Sequence, residues 1–163
     1  MKLFRTIAVG LATAAALLSG NVFAQANPTF NVNLTLTPKC YVNMTATPAH
    51  GTVGDVNLTY IAFQTTDEEQ ATSFAVKCTN SLPYGVAVSP ASGTVSGINY
   101  ALKLVEDSTP SYSDTGDATL TGLVGSSGGK DYSVGVRALK NQAGTCAAPP
   151  CSGFSTHTVT VTY

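Results

Sequence analysis

Four cysteines, two histidines and one acidic run are the residues in this chain whose types most readily do chemistry. Cys40, Cys78, Cys146 and Cys151 form an even set. In an oxidising compartment that points to two disulfides, with three possible pairings. Cys146 and Cys151 flank Ala-Ala-Pro-Pro and can close a tight local loop, which leaves Cys40 with Cys78. The same Cys146–Cys151 spacing is too wide for a C-x-x-C redox motif. His50 sits in a Pro-Ala-His-Gly turn. His157 falls in the closing strand, expected on the face opposite Val159 and Val161. Neither histidine has further His or Cys ligands at workable spacing, so no metal and no cofactor is expected. No G-x-S-x-G places a serine on a strained elbow, so no catalytic residue is expected and the chain does not read as an enzyme. Asp67-Glu68-Glu69 has the donors for calcium but reads as a solvated loop. Asn33, Asn43 and Asn57 each open an N-x-T sequon, which matters only on a eukaryotic secretory route.

These residues have to be placed by strands. Lys2 and Arg5, then the apolar run over residues 7–18, then Val22-Phe23-Ala24, read as a secretory signal peptide cut after Ala24. The run is too short to span a bilayer, which takes about 20 residues. The remaining chain carries six basic and nine acidic residues, a net charge of −3, with no basic patch, so nucleic acid is not an expected partner. It is rich in Thr, Ser, Gly, Ala and Val and poor in strong helix formers. Period-two alternation predicts strands over residues 40–47, 56–63, 73–79, 84–89, 98–106, 118–123, 132–139 and 154–163. Residues 67–70, 90–97, 108–117, 125–129 and 141–153 read as polar loops or turns. No segment holds a helical period over three turns. Short strands at intervals of about 8–12 residues mean an all-β sandwich or barrel.

The stretch TFNVNLTLTPKC, residues 29–40, alternates without a break. Phe30, Val32, Leu34 and Leu36 fall on one face, and Asn31, Asn33, Thr35 and Thr37 on the other. On pattern alone it is either the first strand of its own domain or a strand given to another molecule.

Four features resemble the spore coat protein U type domain, a family that includes major subunits of archaic chaperone–usher pili. Leu36 is followed by Thr-Pro-Lys and then Cys40. Val76-Lys77-Cys78-Thr79 leads into Tyr84-Gly85-Val86. Tyr100-Ala101-Leu102-Lys103-Leu104-Val105 is followed by the acids Glu106 and Asp107. Gly153-Phe154 opens a Thr/Val-alternating run that closes on Tyr163, with Val134-Gly135-Val136-Arg137 upstream. The chain departs from the family in the tight Cys146–Cys151 loop, in His157 where an acid is usual, and in lacking tryptophan.

The resemblance implies an incomplete immunoglobulin-like β-sandwich, a Greek key that lacks its last strand. It implies a signal peptide at 1–24, a donor-strand extension and hinge at 25–39, and a pilin domain at 40–163. Phe30, Val32, Leu34 and Leu36 would fill a neighbour's groove, whose edge strand carries Val159, Val161 and Tyr163. The function implied is a structural subunit of a secreted surface fibre serving adhesion or biofilm formation. The partners implied are copies of itself, a periplasmic chaperone, an outer-membrane usher and a tip adhesin. The subunit would pass through the periplasm to the cell surface. The rival is a single-domain surface adhesin or a protective coat protein on the same scaffold.

Overall fold

In the computed structural model, residues 29–44, 49–112 and 116–163 are described. The expected signal peptide and the end of the 40–47 strand lie outside them. Alternating sequence becomes eight strands, and no helix occurs among the described residues. They are β1 (Cys40–Val42), β2 (Glu68–Cys78), β3 (Pro83–Ser89), β4 (Ser92–Val95), β5 (Ile98–Val105), β6 (Thr119–Val124), β7 (Lys130–Ala138) and β8 (Thr158–Thr162). One sheet runs β1-β2-β7-β5-β4 and the other β6-β3-β8. Every pairing is antiparallel. This is the two-layer arrangement of an immunoglobulin-like sandwich.

The core follows from the alternation. Phe74, Val76 and Cys78 of β2 point inward, as do Tyr84, Val86 and Val88 of β3, Leu102 and Leu104 of β5, and Tyr132, Val134 and Val136 of β7. Phe74 lies opposite Tyr132 in the β2–β7 register, their rings stacked with centroids 5.6 Å apart. Such a pair contributes about 0.5–1.5 kcal/mol beyond its buried area. The Tyr84 and Tyr132 hydroxyls meet at 2.6 Å and tie the two sheets together. Burial, helped by that bond, pushes the Tyr132 phenol far above its ordinary value, so it stays protonated.

Residues 36–163 form one compact unit; of the other, residues 1–35, only 29–35 are described. Two ends of the 36–163 unit matter below. At the base, β2 turns into β3, and Cys40 is bonded to its register partner Cys78. With a sequence separation of 38, the chain-entropy model gives this bridge about 4 kcal/mol. At the crown, β2 begins, β7 ends and β8 begins.

Three expectations needed correction. Residues 56–63 form no strand: Val56 and Leu58 pack against the core and Tyr60 is half-buried, but with no ladder partner, and residues 61–64 make a turn. Glu68-Glu69-Gln70 is not a loop but the start of β2, because β7 offers it register partners and Arg137 an opposite charge beside Glu69. Residues 92–95 are a strand, set by a two-residue hairpin at Ser96-Gly97. Both hairpin residues have positive φ (50° and 71°), as a type I′ turn requires.

Candidate functional site

β8 alternates Val159 and Val161 with threonines, so one face turns to the core and the other to water. Among the described residues its only sheet neighbour is β3, and its other edge carries no strand. Across from that edge stands β1, itself the edge of the larger sheet. Between them lies an open groove of about 670 Å³. Val159 and Val161 line one side, and Cys40, Val42, Thr52 and Val53 the other. Among the described residues, no Asp, Glu, Lys or Arg lines it. Such a groove, beside strand backbone unpaired among the described residues, has room for an extended chain with apolar residues at alternate positions. Left empty, it is a sheet edge open to adventitious pairing.

Both histidines brace this groove. The His157 Nδ1–H donates to the Pro90 carbonyl at 2.6 Å, and the Tyr100 hydroxyl lies 2.7 Å from Nε2, which fixes where β8 begins. His50 Nδ1 accepts the Val42 backbone N–H at 3.1 Å and so holds β1 in place. The expectation that His157 faces away from Val159 and Val161 is corrected: it precedes β8 and lines the groove with them, as residues two and four apart on extended chain should.

Val159 and Val161 are half-buried, and Tyr163, also on the groove, is 53% exposed. Phe30, Val32 and Leu34 are 86%, 79% and 83% exposed, and Leu36 is exposed as well. None of residues 29–39 belongs to a strand. Cys40–Cys78 and Cys146–Cys151 are both bridged. The acidic run makes no cluster fit for a cation. Asp67 instead accepts from the Lys140 backbone N–H at 2.8 Å and from the Arg137 guanidinium. Those bonds, the backbone one first, hold its carboxyl below the ordinary carboxylate value. Among the described residues, no three His, Cys, Asp or Glu side chains are grouped to bind a metal. No described helix is long and apolar enough to cross a membrane.

The sequence reading missed the far wall, Val42 with Thr52 and Val53. Only the Cys40/Val42 alternation signalled it, because which strands flank a groove is set by long-range packing.

Residues 26–114 match the family model for the Spore Coat Protein U domain, a structural pilus-type domain. The family is associated with chaperone–usher pilus-like surface structures. The matched span takes in the alternating stretch, Cys40, Cys78 and Tyr100. No curated protein and no solved structure matches the chain.

Proposed function

The chain belongs to the Spore Coat Protein U family, and from that premise we propose that it is the repeating structural subunit of a surface fibre assembled by donor-strand complementation. The observation that carries this is the open edge of β8 above an uncharged apolar groove. The same chain carries a matching ligand. Phe30 to Leu36 spans about 20–23 Å as a strand, against about 17 Å for the five residues of β8. Its four apolar side chains are exposed. Seating them in the groove of another copy contributes about 6–12 kcal/mol at roughly 1.5–3 each, and each ladder hydrogen bond adds about 1.

Antiparallel pairing with β8 continues the pattern of its sheet. It carries the Phe30 end toward the base of the acceptor and the Leu36 end toward its crown. Thr37-Pro38 is then the flexible part of the expected Thr37-Pro38-Lys39 hinge, and Lys39, bonded to Thr79, is its fixed end on the donating subunit. One contact repeated head to tail without closing yields an open filament. A chaperone that covers the groove before assembly, and an usher that exchanges it for the donor strand, answer the aggregation hazard of the open edge. Adhesion or biofilm formation, with a tip adhesin at the end of the fibre, is the role that suits such a product.

Deleting residues 25–36 tests the reading. The variant should still be exported, form its disulfides and bind chaperone, yet yield no fibres. Fibres of normal length from this deletion would refute the proposal.

A further inference from the structure

Residues 61–64 form a tight turn at the crown, closed by the Gln64 N–H donating to the Ile61 carbonyl at 3.0 Å. Phe63 takes its second central position with φ of 62°. A positive φ there is the type II geometry, where glycine is the usual residue and a bulky side chain strains the backbone. The strain yields no burial within the subunit: Ile61 is 71% and Phe63 69% exposed. Nor is the turn loose. The Phe63 N–H donates to the Gln142 carbonyl and the Asn141 N–H to the Gln64 carbonyl, both at 2.9 Å. The Gln64 side chain accepts the Ile61 N–H, also at 2.9 Å. Two large apolar side chains, one at a conformational cost, are therefore held rigidly in water, which marks a contact with something else.

We propose that this turn is a second subunit–subunit contact, seated against the base of the next copy of the same chain in the fibre. The inference rests on the donor-strand reading, which leaves Leu36 of the incoming copy at the acceptor's crown. From Leu36 to Cys40 the chain reaches at most about 14 Å, little more than the ~10 Å between two packed sheets. The base of the incoming copy is therefore held close over the crown. That base is rigid and itself exposes apolar surface. Lys39 is bonded through its backbone to Thr79 in both directions, and Leu82 joins Thr79 to Gly125. Beside them Pro83 and Val124 lie opposite each other in register, both exposed. The Ile61–Phe63 pair on one copy and the Pro83–Val124 pair on the next are the two faces of the contact. The fibre so formed is stiffened at each junction rather than strung on a bare tether.

Fibres made from the full chain test this. Phe63→Gly removes the ring while relieving the turn, so the fold is not at risk. Its fibres should form with unchanged heat-lability in detergent but bend more, with a shorter persistence length in micrographs. A Phe63→Cys, Val124→Cys chain should give fibres whose neighbouring subunits stay linked on boiling in detergent and separate only with reductant. Absent cross-links and wild-type stiffness in Phe63→Gly would overturn the contact. So would unchanged stiffness combined with lost binding to polystyrene, which would assign the turn to outside surfaces. Fibres that persist after deletion of residues 25–36 strike the donor-strand reading and this contact with it. Missing cross-links together with wild-type stiffness, in fibres that do need those residues, strike this contact alone.

Discussion

Leu34→Ala separates what the donor stretch does for its own subunit from what it does for a neighbour. In the free subunit Leu34 is 83% exposed. Truncating so exposed a side chain should change that subunit's unfolding by no more than about 0.5 kcal/mol. In the proposed junction the same residue would be buried between β8 and β1 of the acceptor. Removing three carbons at about 0.8 kcal/mol each weakens the junction by about 2.4 kcal/mol. At 1.4 kcal/mol per decade, dissociation should be faster by roughly fiftyfold. Asn33→Ala, one residue away on the polar face, is the control and should leave the rate nearly unchanged. The assay heats purified fibres in detergent for graded times and follows the multimer ladder on a gel. Thermal unfolding of the monomeric chain is measured alongside. Wild-type half-times for Leu34→Ala would refute the reasoning. Equal weakening by Asn33→Ala would show that the alternation has been assigned to the wrong face.

Val161→Lys places an ammonium in a groove that no described Asp, Glu, Lys or Arg lines. It should abolish acceptance but not donation, so co-expression with wild type should shorten fibres, as measured by their length distribution. Tyr132→Phe leaves the Tyr84 hydroxyl buried without its partner and should cost about 1–3 kcal/mol of subunit stability. Tyr84→Phe combined with Tyr132→Phe should cost less than the sum of the single changes, read from denaturant midpoints. The Lys140 backbone N–H and Arg137 hold the Asp67 carboxyl below the ordinary carboxylate value. Its contribution is therefore present above that value and lost as pH falls through the lower folded one. The thermal midpoint should drop below about pH 4, and Asp67→Asn should flatten that part of the profile.

The inner face of the sandwich was legible because burial imposes period two directly. Tyr84, Val86 and Val88, and Tyr132, Val134 and Val136, declare themselves without knowledge of their neighbours. Pairing was less legible. Val56 and Leu58 pack against the core at alternate positions as in a strand, yet carry no ladder, since alternation reports burial rather than hydrogen bonding. Glu69 hid the start of β2 because its charge is answered by Arg137, 68 positions away in the chain. β4 has a single large apolar residue, Val95, and only its Ser-Gly hairpin marks it. Half of the groove was visible in Val159 and Val161. The other half depends on which edge strand the fold brings across from them.

The unpaired edge of β8 has a further consequence. In a filament built by lending a strand forward, the two ends are chemically different. One ends in a subunit whose own strand is lent to no one, the other in a subunit whose groove is still vacant or covered by a guard. A synthetic peptide of residues 29–37 should recognise only the second kind. It would then act as a chain terminator during growth. On finished fibres, a labelled copy would count vacant ends and mark the direction in which each fibre was made.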